Sequence, residues 1–307
     1  MKIASIDIGT NTILLLIAEI SRDGIMTILH DEQVFARLGK GVDAERMINT
    51  ETFGRVENFL RRYKETCDRY SVDIIRAVGT SALRDAQNRI EFISSMFEKT
   101  GITIEVLSGD DEAQWTYRGG ISAFEGTSEL YSVIDIGGGS TEIIIGDASD
   151  VHSKTSLDLG SVRITERILK ESPPETSQLI EAHEFIRSHF PISLKKEIPS
   201  TFSVGVAGTL TTLAALHQQL PSYSSEKING YVLSYEDICA QFGVLKDKSV
   251  SQIAAFPQIS EGRADIIVAG IMILMGYMES CDLRRITVCD RGLRYGILYR
   301  EVERMIQ

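Results

Sequence analysis

The chain has 307 residues, an ordinary balance of apolar and charged side chains, and a formal net charge of −11. That length favours two domains over one core, and the acidic balance argues against a general nucleic-acid or anionic-membrane surface. An anionic ligand would need a local cluster of cations, a metal or the amides of a glycine loop. In chain order, Lys2–Ile8 and Ile13–Ile20 read as strands around a glycine turn. "SRDG" at Ser21–Gly24 signals a hairpin into a third strand at Ile25–Phe35. Phe53, Val56, Phe59, Leu60 and Tyr63 are spaced as one helix face within Glu51–Tyr70. A strand at Ile74–Val78, a helix at Ile90–Phe97 and a strand at Ile102–Leu107 follow. A meander combined with crossover units predicts an α/β class.

The second half repeats that order. Leu130–Ile136 and Glu142–Ile145 are predicted strands around another glycine turn, with a third at Val151–Leu157. Helices are predicted over Ser161–Lys170 and Thr176–Phe190, then a strand at Phe202–Val206 and a helix at Leu210–Gln219. Tyr235–Leu245 and Arg263–Ser280 read as helices, Arg285–Val288 as a strand, and a last helix starts at Leu293. "EGTS" at Glu125–Ser128 punctuates the pattern and marks a boundary. Ile266–Met278 is the most apolar run, yet it falls short of the roughly 18–20 residues of a membrane span. The N-terminal apolar run is cut off by Asp7, too early for a secretion signal. Cys67, Cys239, Cys281 and Cys289 show no paired spacing, which suits reduced thiols and a cytoplasmic location. The five histidines show no zinc spacing.

Two stretches nearly coincide, "SIDIGTNTILLLI" at Ser5–Ile17 and "VIDIGGGSTEIII" at Val133–Ile145. In each, a strand ends near an aspartate, turns through glycine and hydroxyl residues, and leaves as a second strand. Such turns can aim successive amides at one anion. Gly9, Thr10, Asn11 and Thr12 in the first, and Gly137, Gly138, Gly139, Ser140 and Thr141 in the second, are therefore candidate phosphate-binding residues. Asp7 and Asp135, at strand carboxyl ends where α/β folds bind ligands, are candidate ligands for Mg²⁺ or another divalent cation. Glu142 follows the second turn; Ile13 stands as its counterpart in the first. A third loop, "VGVAGTLTTLAAL" at Val204–Leu216, places Gly208 and Thr209 before a helix, with Thr209 as the expected N-cap and phosphate as the expected guest.

With these residues in place, the chain resembles the exopolyphosphatase/guanosine-pentaphosphate phosphohydrolase family of the actin-like superfamily. The resemblance rests on "SIDIGTNT", "VGTSALRDAQN", "SGDDEAQ", "IDIGGGSTE", "LGSVRITE", "GVAGTLTTLAA", "RADIIVAG" and "DRGLRYG", in the family's order. It implies two duplicated actin-like, ribonuclease-H-like domains at 1–124 and 125–307 with a cleft between them. The C-terminal helix from about Leu293 would be able to pack back on the first domain. It also implies hydrolysis of a terminal phosphoryl group, with polyphosphate or guanosine pentaphosphate as substrate.

By the same resemblance, Glu112 positions or deprotonates the attacking water, Asp135 and Glu142 serve metal and water, and Arg84 contacts phosphate. Phosphoryl transfer to water is mostly positioning and charge neutralisation, so these residue types suit it. Arg163, Arg263 and Arg294 are further candidates for a substrate channel. Gln114, Ala207 and Tyr295 depart from the common pattern and bear on substrate preference. Two rival readings stay open: an ATP-dependent small-molecule kinase of the same superfamily, and a non-catalytic polyphosphate or alarmone sensor. No nucleic-acid or membrane partner is expected, and a homodimer is the default for a soluble enzyme.

Overall fold

The computed structural model describes residues 1–306. The first part of the chain runs β1 (Lys2–Ile8), β2 (Ile13–Ile20), β3 (Met26–Val34), α1 (Val42–Glu45), α2 (Thr50–Arg69), β4 (Ile74–Gly79), α3 (Ser81–Asp85), α4 (Arg89–Thr100), β5 (Ile104–Val106) and α5 (Gly109–Ile121). The second runs β6 (Tyr131–Ile136), β7 (Thr141–Gly146), β8 (Val151–Leu157), α6 (Ser161–Arg167), α7 (Thr176–His189), α8 (Leu194–Glu197), β9 (Phe202–Val206), α9 (Ala207–His217), α10 (Ser225–Ile228), β10 (Val232–Ser234), α11 (Tyr235–Leu245), α12 (Val250–Ala254), α13 (Ile267–Cys281) and β11 (Arg285–Val288). A last helix, α14 (Leu293–Ile306), follows. The chain divides into two compact units, Gly120–Gly292 and, around it in sequence, Met1–Gly119 with the chain from Leu293 on. No helix among the described residues is long and apolar enough to cross a membrane.

The first unit holds a five-stranded sheet in the order β3-β2-β1-β4-β5. β1 pairs antiparallel with β2 and parallel with β4, and β4 is parallel to β5. Side chains alternate across such strands. Ala4, Ile6, Ile8, Ile13, Leu15 and Ile17 join Val56, Leu60 and Tyr63 of α2 and Phe92 and Met96 of α4 on one face. Ile3, Leu16, Ala18 and Ile20 on the other face meet Tyr295 and Leu298 of α14. Asp7 shares the parity of Ile3, so its carboxylate lies on the face that α14 covers. Each large apolar side chain buried there is worth about 1.5–3 kcal/mol. Buried Glu301 adds ion pairs to Arg76 (2.8 Å) and Arg304 (2.8 Å), while Arg300 grips Glu105 through two bonds (3.1 and 2.9 Å).

The second unit holds a six-stranded sheet in the order β10-β11-β9-β6-β7-β8. β6 pairs antiparallel with β7 and parallel with β9, as β1 does with β2 and β4. Its core gathers Ile134, Ile136, Ile143 and Ile145 against α6, α7, α9 and α13. Asp135 and Glu142 have the opposite parity. The apolar run near the C-terminus is α13, buried along most of its length. It starts four residues later than the spacing predicts, because a single 3₁₀ turn ends at Arg263.

Candidate functional sites

In the first unit, the turn after β1 is closed by the Gly9 N–H, which donates to Thr12 O (2.9 Å). That amide is committed to the turn. The Thr10 and Asn11 carbonyls accept from the amides of Gly39 (2.8 Å) and Arg37 (2.9 Å). A side chain at Gly39 would collide with Thr10, so the two loops are in close contact. In a trans peptide N–H and C=O point opposite ways, so the amides of Asn11 and Thr12 face away from that supporting loop.

The carboxyl ends of β1, β4 and β5 bring a second set together. Asp7 lies beside Val78 in the parallel register, Thr80 follows β4, and Ser108 follows β5 and opens α5. Ser108 Oγ accepts from the Asp111 amide (3.0 Å), which starts the helix and places Glu112 in its first turn. Glu112 is buried and bonded directly to Arg84 Nη1, which also donates to Leu107 O (3.2 Å). Burial pushes the Glu112 carboxyl above its ordinary range, opposed by Arg84 and by a hydrogen bond from Thr80. Asp7 is pushed up to about 7, first by burial and then by Glu112, while Arg294 opposes the shift. Arg294 is tied to Asp31 (3.0 Å) on β3. Two carboxylates thus share one buried place with Arg84 and Arg294.

In the second unit the turn after β6 has the same closure, Gly137 N–H to Ser140 O (3.0 Å). Its carbonyls are held differently. The Ser161 amide and Oγ donate to Gly137 O (3.0 and 3.2 Å). The amides of Val162 and Arg163 donate to Gly138 O (2.9 and 3.2 Å), and Arg163 Nε donates to Gly139 O (2.8 Å). The start of α6 therefore holds three successive carbonyls. Gly160 must lack a side chain, because a Cβ would overlap the backbone of Gly138 and Gly139. By peptide planarity the amides of Gly138, Gly139 and Ser140 face away from α6.

Thr141 departs from its expected role. It is fully buried and its hydroxyl donates to Leu159 O (2.5 Å), so it offers no hydroxyl to a ligand. Glu142 stands directly across from Asp135, and Ser156 on β8 donates to Glu142 Oε1 (2.7 Å). The matching partner of Asp7 is Leu14, not Ile13. The counterpart of Glu142 has to be counted through the strand pairing, which gives the residue seven after each aspartate.

β9 lies beside β6, with Val206 paired to Asp135, so the third loop adjoins the second turn. Here α9 begins at Ala207, which takes a left-handed φ of 70° where glycine is the usual occupant. Thr209 therefore lies inside the helix rather than capping it. Its side chain is buried against Gly270, where a Cβ would overlap the hydroxyl. Only its amide remains a candidate donor. The Arg263 guanidinium covers Gly208, and burial lowers its pKa to about 10. Among the described residues no three His, Cys, Asp or Glu side chains form a metal-holding group.

Fold and sites together define an actin-like, two-domain α/β enzyme acting on phosphoryl groups. The chain belongs to the Ppx/GppA phosphatase family, whose description matches residues 16–305, and is a phosphohydrolase. It is 32% identical to "Exopolyphosphatase 2" of Mycobacterium tuberculosis over 96% of this chain and 97% of that one. Among solved structures it matches an exopolyphosphatase from Cytophaga hutchinsonii at TM-score 0.91 and 29% identity, covering 99% and 98% of the two chains. The Aquifex aeolicus family member matches at TM-score 0.82 and 32% identity, over 100% and 99%. A "Bifunctional 3-dehydroquinate synthase/phosphatase" of Fusobacterium nucleatum is 31% identical over 98% of this chain and 46% of that one.

Proposed function

We propose that the protein removes terminal phosphate from inorganic polyphosphate, with guanosine pentaphosphate as the alternative substrate carrying the same terminal anhydride. The observation that carries this reading is buried Glu112, held by Arg84 and Thr80 beside Asp7. A carboxylate with a raised pKa, fixed in direction, suits a base that orients the attacking water. Water attacks the terminal phosphorus, the bridging P–O bond breaks toward the chain, and the proton passes to Glu112. Arg84 uses Nη1 for Glu112 and Leu107; its Nε and Nη2 are the donors offered to a phosphate oxygen. The amides of Gly138, Gly139 and Ser140 in one unit, and of Asn11 and Thr12 in the other, are the candidate phosphate donors, with Gly208 and Thr209 as an adjoining loop.

A divalent cation fits one pair best. Asp135 and Glu142 are cross-strand neighbours, and Mg²⁺ is commonly held by one or two carboxylates with substrate phosphates and waters completing its shell. When bound there, such an ion would neutralise charge on the phosphate oxygens. Asp7 is paired with Leu14 across the strands and so has no cross-strand carboxylate beside it. Phosphate release with Mg²⁺ from long polyphosphate, guanosine pentaphosphate and ATP, measured side by side, tests the reading. Release from polyphosphate without an acceptor, lost in Glu112→Gln, is the expected result. Near-normal turnover of that variant removes Glu112 from the role, and turnover of ATP only with an added acceptor favours the kinase.

A further inference from the structure

We infer that Arg163 is a positioning residue that sets the sense of the Gly138–Ser140 peptides, so that three amides face the substrate's terminal phosphate. The inference rests on the phosphate-binding reading of that turn and adds how the turn is made to bind.

Three consecutive glycines let a backbone come close to a ligand, but they do not fix which way its peptides point. Glycine occupies both signs of φ with similar ease, so a Gly137–Gly139 turn has several peptide orientations of comparable energy. A reversed peptide would present a carbonyl to an anion instead of an amide. Local sequence cannot prevent that; an outside partner must.

The partner is α6. Each of the three carbonyls is taken by a donor from Ser161, Val162 or Arg163. The first two carbonyls are held by backbone donors, the first with help from Ser161 Oγ. The Gly139 carbonyl, whose peptide carries the Ser140 amide, is held by the Arg163 side chain through Nε (2.8 Å). Arg163 is 5% exposed, so its bond is shielded from water. Its approach to Asp158 is loose, at 3.9 Å, and Asp158 is exposed, which makes that pair a weak anchor. The guanidinium also stands on the carbonyl side of the turn, opposite the amides. Arg163 is therefore not one of the substrate-channel cations expected from its charge.

The first unit supports the contrast. Its turn carries Thr10 and Asn11 where the second has Gly138 and Gly139, and their carbonyls accept from the backbone amides of Gly39 and Arg37. In the glycine-rich copy a carbonyl is held by an arginine side chain.

The test uses Arg163→Met, which keeps the buried stem but removes the donor, and Arg163→Lys, which restores a donor without the rigid fork. Orthophosphate, as product inhibitor, reports on phosphate binding apart from the chemical step. In Arg163→Met, the inhibition constant for orthophosphate and the KM for polyphosphate should both rise about tenfold, with kcat changed less. Arg163→Lys should fall between Met and the parent. A merely structural role would lower Tm and leave both constants alone. A folded Arg163→Met with both constants within twofold of the parent overturns the inference. If that variant cannot be purified, Arg163→Lys decides: a rise of about threefold supports it, and an unchanged constant overturns it. A parent that releases no phosphate from polyphosphate would instead overturn the functional reading.

Discussion

The hairpins of the two units share a closure and a strand pairing but differ in what they present. Both turn from strand to strand through one glycine-to-hydroxyl-residue bond, Gly9 to Thr12 and Gly137 to Ser140. Across the strands the first sets Asp7 against Leu14, the second Asp135 against Glu142. Behind the turn the first is held by two loop amides, the second by a helix start and a buried arginine. Duplication therefore conserves the backbone device and varies its side chains. The first unit has a buried glutamate, Glu112, beside its hairpin; the second has a carboxylate pair and the fuller set of outward-facing amides.

The largest test of that division is Glu112→Gln. We expect phosphate release to fall by about 10²–10⁴-fold while orthophosphate still inhibits, since the second hairpin is untouched. Loss of orthophosphate inhibition in that variant would blur the division. Next is Gly160→Ala, whose methyl would strike backbone rather than a movable side chain. Such overpacking costs roughly 1–3 kcal/mol, and activity should fall with Tm. Gly39→Ala in the first unit meets chiefly the Thr10 side chain, which can turn away. Thermal unfolding should therefore rank Gly39→Ala well above Gly160→Ala; equal losses would mean both turns are braced alike.

Asp7 gives a pH test of the first hairpin. Its folded pKa of about 7 lies above its ordinary 3.8, so the folded protein keeps a proton that the unfolded chain has released. That contribution is complete below about pH 4 and is lost as pH rises through about 7. Asp7→Asn cannot titrate, so it should gain on the parent between pH 5 and pH 8. The gain should be about 1–2 kcal/mol, discounted for partial exposure. Urea unfolding without divalent cation checks it, and a difference independent of pH would refute the buried-carboxylate account. The smallest effect is expected from Ser156→Ala, which removes one bond to Glu142. A several-fold rise in the Mg²⁺ needed for half-maximal rate, with Tm lowered by only a few degrees, is the predicted outcome.

Much of this was legible in the residues. Strand ends at Ile8, Ile136 and Val206 follow from apolar runs meeting glycine turns, and the buried α13 follows from its composition. What was hidden depends on distance or register. Leu14 was missed as the partner of Asp7 because counting from the turn, instead of along the paired strands, shifts the match by one residue, and one residue exchanges sheet faces. The bracing role of Arg163 involves a carbonyl 24 positions away, and no local pattern encodes it. Thr209 looked like a cap because its residue type favours one. Ala207 instead takes the left-handed turn and starts the helix three residues earlier. Arg84 and Glu112, 28 positions apart, meet only because β4 and β5 are adjacent.

The inward-held carbonyls have a consequence for selectivity. This is an acidic chain, and on the proposed reading its second turn would answer an anion with oriented peptide dipoles instead of a lysine-rich groove. Dipoles of that kind do not titrate, act only at close range and fit one small tetrahedral group at a time. Such a surface would be a poor mat for the length of a polyanion and a good socket for its tip. A preference for chain ends would then come from the backbone itself, with the rest of the acidic surface discouraging the polymer from lying down anywhere else.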